Sequence, residues 1–341
     1  MSNKLSKKIA IIGGGIIGCL SAIKLRESGF AVVIVEKNKI GEESSWAGAG
    51  ILFPLMPWAY SSEVYSLCES SSKFYEEFSK KLVQETGVDP EFFKTGMKLI
   101  EPKNLEEIQK WSKKNSYEIK NSTFNKSSAI LFPFIAQIRP PRLMKAISLY
   151  INKIGIDVVE NTELCKINNK EKILNKWGTK KGDPVEADYF LVTSGAWVSM
   201  IRPEYKNIIY PIRGQMIQYK ASSLKINHIL YFDGFYVLQR KDGVIIAGST
   251  VEEVGFDKEI KSDSLNYLKK KAEQVIPALK NILVENHWVG FRPGTKNNIP
   301  IIGKDIKYEN VYINSGHFRY GITMAPKSAE IINSLLVESK I

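Results

Sequence analysis

The chain has 341 residues, 44% of them hydrophobic, which is enough apolar material for two sizeable cores. Its formal net charge of +12 comes from lysines interleaved with acids, and even the densest cluster, Lys103 to Lys126, carries Glu106, Glu107 and Glu118. This reads as a solvated basic surface, with no nucleic-acid partner. No run reaches the ~18 apolar residues of a membrane span. Cys19, Cys68 and Cys165 are too dispersed for a disulfide framework, and His228, His287 and His317 for a metal site. The expectation is a cytoplasmic protein with free thiols.

The most informative stretch comes first. The apolar run Ile9–Ile12 breaks into Gly13, Gly15 and Gly18, the pattern turns helical, and a second strand-like run, Val32–Val35, ends at Glu36. Strand, glycine turn, helix, parallel strand and acid are the parts an adenine dinucleotide needs. Gly13 permits the tight turn, Gly15 lets the backbone approach the pyrophosphate, and Gly18 lets helix and strand pack closely. Free N–H groups at the helix start then face the diphosphate. Glu36 can accept hydrogen bonds from ribose hydroxyls and would repel a 2′-phosphate, which disfavours NADP. Lys4, Lys7 and Lys8 before this stretch imitate a secretion signal, but cleavage would remove the nucleotide turn.

A loop of small residues follows, Ile40 to Pro54, in which Ser44 and Ser45 can reach phosphate. Val64, Leu67, Cys68, Phe74, Tyr75, Phe78 and Leu82 recur at helical spacing, and a shorter helix near Asn104 carries Leu105, Ile108 and Trp111 on one face. Pro140-Pro141 opens a helix that ends near Gly155. Strands are expected at 156–160, at 161–167, as a pair around Lys180–Asp183, and at 189–197. From Pro211 to Thr250 short strands joined by Asp233-Gly234 and Asp242-Gly243 form an antiparallel sheet. A helix over about Asp263–Leu279 and a last one over about Met324–Leu336 complete the pattern. There is no second GxGxxG, so the chain binds either NAD alone or FAD with oxygen or a small electron acceptor. The inserted sheet and the glycine-rich C-terminal return favour FAD. The fold class is α/β: a discontinuous Rossmann-like FAD-binding domain (1–60, 140–205 and 288–341) with an inserted antiparallel-sheet substrate domain (61–139 and 206–287).

Nine segments, in order, carry a resemblance: GGGIIG, Glu36, SSWAGAGIL, PPRLMKAI, VTSGAW, PIRGQM, FYVLQRKDGVIIAGSTVEEVGFD, WVGFRPGTKNNIPIIG and SGHFRYGITMAPKSAEII. In these the chain resembles the FAD-dependent D-amino-acid oxidase (DAO) family, and within it the glycine oxidase branch linked to thiamine thiazole synthesis. The resemblance implies oxidative deamination of glycine or another small amino acid. A hydride passes to flavin N5, and the products are an imine or 2-oxo acid, ammonia and hydrogen peroxide. It places Ile16 and Ile17 after the pyrophosphate turn, and Glu36 and Lys37 around the ribose. Ser44, Ser45, Ala49, Gly50 and Ile51 line the cofactor, and Leu164 lies at adenine. The flavin loop is Gly316, His317, Phe318, Arg319, Tyr320, Gly321, Ile322 and Thr323. There Gly316 and Gly321 would let amides crowd the ring, with the following helix start favouring anionic reduced flavin.

Arg292 matches the substrate-carboxylate anchor, since only arginine offers a planar fork for two parallel hydrogen bonds. Tyr236 matches a tyrosine whose hydroxyl points at substrate, and Arg319 a second arginine near the entrance. Many covalent secondary-amine oxidases attach FAD through a cysteine in the C-terminal third, whereas the last cysteine here is Cys165, so FAD is expected to be noncovalent. Tyr320, Val251, Ile51 and Trp46 depart from the commonest family residues around the pocket and bear on substrate size. Alternatives are a sarcosine or D-amino-acid oxidase, a dehydrogenase passing electrons to a quinone, and a flavin-binding protein without turnover. Self-association into a homo-oligomer is left open.

Overall fold

The computed structural model describes residues 6–53, 56–167 and 170–339. Lys4 and Pro54 lie outside them. Among the described residues two large sheets organise the chain. The first has the order Ile301–Lys304, Val311–Ser315, Tyr189–Val192, Lys8–Ile12, Ala31–Val35, Asp157–Val159. All its pairs are parallel except the first. Its strands read as near-continuous apolar runs because both faces are covered. On one face Ile9, Ile11 and Ile34 pack with the helices Ile16–Glu27, Pro140–Lys153 and Gly321–Glu338; on the other, Ala10, Ile12 and Val33 pack with Trp177 and Tyr205.

The second sheet has eight strands, in the order Val284–Gly294, Tyr210–Lys220, Val244–Gly248, Phe235–Gln239, Ile229–Phe232, Met97–Ile100, Ser127–Phe132, Lys120–Phe124. It is antiparallel except where Ile229–Phe232 meets Met97–Ile100. Alternation along its strands separates two faces. Phe235 and Val237 pack beneath the helix Ser262–Val275, whereas Tyr236, Leu238 and Met216 face the opposite side. The strand Val284–Gly294 belongs wholly to this sheet, so residue 288, expected to divide the domains, falls inside a strand.

The helix expected across Val64–Leu82 is two helices, Ser62–Cys68 and Ser71–Thr86. The expected strand at 161–167 is reduced to a bridge between Leu164 and Thr179. The last helix begins three residues early, at Gly321, and contains Pro326. Proline has no N–H for the carbonyl four residues back. That carbonyl, of Ile322, accepts instead from the Tyr75 hydroxyl at 2.8 Å.

Candidate functional site

The glycine turn is built as its residue types require. Gly13 has φ +119°, and a Cβ there would stand 2.8 Å from the Thr193 backbone. A Cβ on Gly18 would lie 2.0 Å from the Gly13 carbonyl oxygen, so the third glycine makes room for the turn itself. Thr193 Oγ1 donates to that same carbonyl at 2.8 Å. Glu36, at the end of the second strand, accepts from Gly14 N at 2.7 Å and Asn38 N at 2.9 Å. Burial raises its pKa, and these amides oppose the shift. Ser45 Oγ accepts from Ile16 N at 2.9 Å, and Ser44 Oγ donates to the Phe291 carbonyl. The Lys37 ammonium pairs with Glu163 at 3.0 Å.

A cavity of about 450 Å3 opens onto this turn. Its wall combines Gly13, Gly15, Ile16, Ile17, Glu36, Lys37, Ser44, Ser45, Ala49–Ile51 and Leu164 with Tyr236, Arg292 and the segment His317–Thr323. Residues far apart in sequence are thus brought together. Gly18 and Gly316 do not reach the wall; Gly316 faces inward, where a Cβ would meet Thr295 at 2.4 Å. Val251 and Trp46, expected around the pocket, are instead 48% and 43% exposed and off the wall. Trp46 rests edge-on against Trp288.

The sheet strands deliver the polar groups. Arg292 Nη2 donates to Ser249 Oγ at 2.7 Å, and Nη1 donates to the Thr250 carbonyl at 3.1 Å and the Arg213 carbonyl at 3.4 Å. The ion-paired arginines among the described residues are Arg139, Arg142, Arg202 and Arg213; Arg292 and Arg319 are not among them. Burial pulls the Arg292 pKa down to about 10, so the group is still a cation at neutral pH. Arg319 Nε is buried without a hydrogen-bond partner, and its guanidinium lies 5.3 Å from the Phe318 ring. Tyr236 OH has only a weak contact, 3.5 Å to Met216 Sδ. His317 is buried with Nε2 2.9 Å from Ser328 Oγ, and burial lowers its pKa to about 3.

Sequence reasoning missed several residues here. Gly214 carries no side chain because the Arg292 guanidinium lies across it: a Cβ would stand 2.2 Å from Nη1. Its signal was a glycine inside the strand PIRGQM, which marks close approach by another group. Buried Arg240 donates to the Ala49 carbonyl at 2.7 Å and to Gln137 Oε1 at 2.8 Å, tying the cavity-wall segment Ala49–Ile51 to the second sheet. Ser194 lines the cavity, and its buried hydroxyl has no partner.

These features fit a flavin dinucleotide. The glycine turn and its helix start line the cavity, the buried Ser194 Oγ lacks a partner, and Glu36 lies on the same wall, where a carboxylate can accept from ribose hydroxyls. The profile of the DAO family, FAD dependent oxidoreductase, matches residues 8–335. Glycine oxidase of Pseudomonas putida is 32% identical, over 97% of this chain and 95% of that protein. Glycine oxidase of Pseudomonas aeruginosa is 30% identical over the same shares. The crystal structure of glycine oxidase from Bacillus cereus superposes with a TM-score of 0.89 at 26% identity, covering 98% of this chain and 96% of that one. Among the described residues no helix is long and apolar enough to cross a membrane.

Proposed function

The chain belongs to the DAO family of FAD-dependent oxidoreductases, and on that premise we propose that it oxidises glycine or a similarly small amino acid. The observation that carries this reading is an arginine fork in the cavity wall, Arg292, that lies against hydroxyl and carbonyl groups and has no carboxylate partner among the described residues. Such a group is set up for the carboxylate of a substrate.

A flavin held by the glycine turn, Ser44, Ser45 and the segment His317–Thr323 would supply the two-electron acceptor for the hydride of the α-carbon. Arg292 holds the carboxylate. Tyr236, which loses little by leaving the Met216 sulfur, turns its hydroxyl to the substrate and fixes its orientation. Arg292 and Arg319 together make the pocket cationic, which disfavours the substrate ammonium and favours the neutral amine that oxidation requires. A side-chain base is then unnecessary. The imine leaves, or water hydrolyses it to a 2-oxo acid and ammonia. By the family resemblance the imine would feed thiamine thiazole assembly, and restored growth without thiamine in a strain lacking its own glycine oxidase would test that role.

The direct test mixes the purified holoenzyme anaerobically with glycine, sarcosine and D-alanine while following flavin absorbance. Bleaching by glycine, with peroxide formed on readmission of air, is the expected result. Bleaching only by sarcosine or D-alanine would keep the chemistry and move the substrate. Bleaching without peroxide would point to a dehydrogenase using another acceptor. Absence of bleaching by all three would overturn the reading in favour of a flavin-binding protein without this turnover.

A further inference from the structure

We propose that Glu252, which lies outside the cavity wall, is a positioning residue that holds Arg292 in its carboxylate-binding pose. The inference rests on the reading of Arg292 as the carboxylate anchor. Two of the groups that fix the Arg292 guanidinium, Ser249 Oγ and the Thr250 carbonyl, belong to a short segment that follows the strand Val244–Gly248. That segment is fastened to the neighbouring strand by the reciprocal bonds Arg213 N to Glu252 O at 2.9 Å and Glu252 N to Arg213 O at 3.0 Å.

The Glu252 side chain supplies the rest. Its Oε2 accepts from Arg213 Nε at 3.0 Å and Nη2 at 2.5 Å. Its Oε1 accepts from Gln215 Nε2 at 2.9 Å and from the Thr250 hydroxyl. The same hydroxyl accepts from Gln215 N at 2.9 Å, so Thr250 is held on both sides. One carboxylate therefore grips the strand, through Arg213 and Gln215, and the segment, through Thr250.

The arrangement also sorts the charges. Consecutive residues of a strand point to opposite faces. Gly214 lies under the Arg292 guanidinium, whereas the Arg213 guanidinium points away and takes both Glu252 and Asp257, the latter at 2.8 Å. The nearby carboxylates are thus engaged by Arg213, and Arg292 is left as an unpaired cation beside the substrate position. A freed Glu252 would compete with substrate for it.

The test measures steady-state KM and kcat for glycine, FAD content, and the affinity of glycolate, a non-oxidisable carboxylate, read from flavin absorbance. Four variants are compared. Glu252→Gln is expected to raise KM and the glycolate Kd about 5–30-fold, with kcat within about threefold and FAD retained. Thr250→Val, which removes the hydroxyl with its bonds to Glu252 and Gln215 N but leaves Glu252 on Arg213, is expected to move the same quantities in the same direction by a smaller factor. Asp257→Asn, which touches Arg213 but not the segment, is expected to stay within about twofold of wild type. Arg292→Ala is the reference. Unchanged KM in Arg292→Ala would remove the anchor reading and the proposal with it. A raised KM in Arg292→Ala with wild-type values in both Glu252→Gln and Thr250→Val would overturn the positioning role alone. So would an equal effect in Asp257→Asn, because the cause would then be the charge on Arg213 and not the grip on the segment.

Discussion

Gly214→Ala gives the sharpest single perturbation of the site. The new methyl would stand 2.2 Å from Arg292 Nη1, 2.3 Å from Nη2 and 2.4 Å from Cζ. Ordinary contact begins near 3.4 Å, so the guanidinium must withdraw by about 1 Å. The strand backbone itself accepts alanine, since Gly214 is not in the left-handed region. Withdrawal breaks the short bond to Ser249 and displaces the fork proposed to receive the carboxylate. Charged hydrogen bonds are worth about 1.5–3 kcal/mol each, so losing one raises KM roughly 10–150-fold. Anaerobic titration of the variant with glycine, beside FAD content and thermal unfolding, would show weak substrate binding in a folded, yellow protein. Wild-type affinity in such a protein would refute the placement of Arg292 over Gly214.

Other perturbations probe the surrounding structure. Gly18→Ala would drive a methyl to 2.0 Å from the Gly13 carbonyl and spoil the turn; FAD affinity, measured by fluorescence on reconstitution, should fall at least about tenfold. Tyr75→Phe leaves the Ile322 carbonyl without its 2.8 Å donor, with Pro326 unable to replace it, and urea unfolding should show about 1–3 kcal/mol lost. His317 has its folded pKa lowered by burial from 6.5 to about 3, so the unfolded chain binds the extra proton first. Its contribution is present above pH 6.5 and is lost as pH falls toward 3. His317→Asn should flatten stability against pH across that window, and an unchanged slope would contradict the burial of a neutral imidazole.

Much of the site was legible because local chemistry dictates it. The turn at Gly13, Gly15 and Gly18, with Glu36 one strand later, is a local device, and its spacing alone specifies the geometry. Hairpins at Asp233-Gly234 and Asp242-Gly243 were readable for the same reason, and the alternation between them put Tyr236 on the cavity face. What escaped was long-range. Gly214 matters only because Arg292, 78 residues on, lies across it, and Arg240 reaches a loop nearly two hundred residues earlier. The break between Cys68 and Ser71 was hidden by apolar spacing that continues through it. Val251 lies two residues after the cavity residue Ser249 in sequence, yet the bridge from Arg213 to Glu252 turns it outward.

In the proposed function Arg292 holds a small amino acid by its carboxylate against the flavin. Wild type and Arg292→Ala, both loaded with FAD, can be compared in one anaerobic titration with glycine that follows flavin absorbance. Full bleaching of both is expected, with the variant needing roughly 10–150-fold more glycine. Equal glycine dependence in the two proteins would rule out Arg292 as the carboxylate anchor.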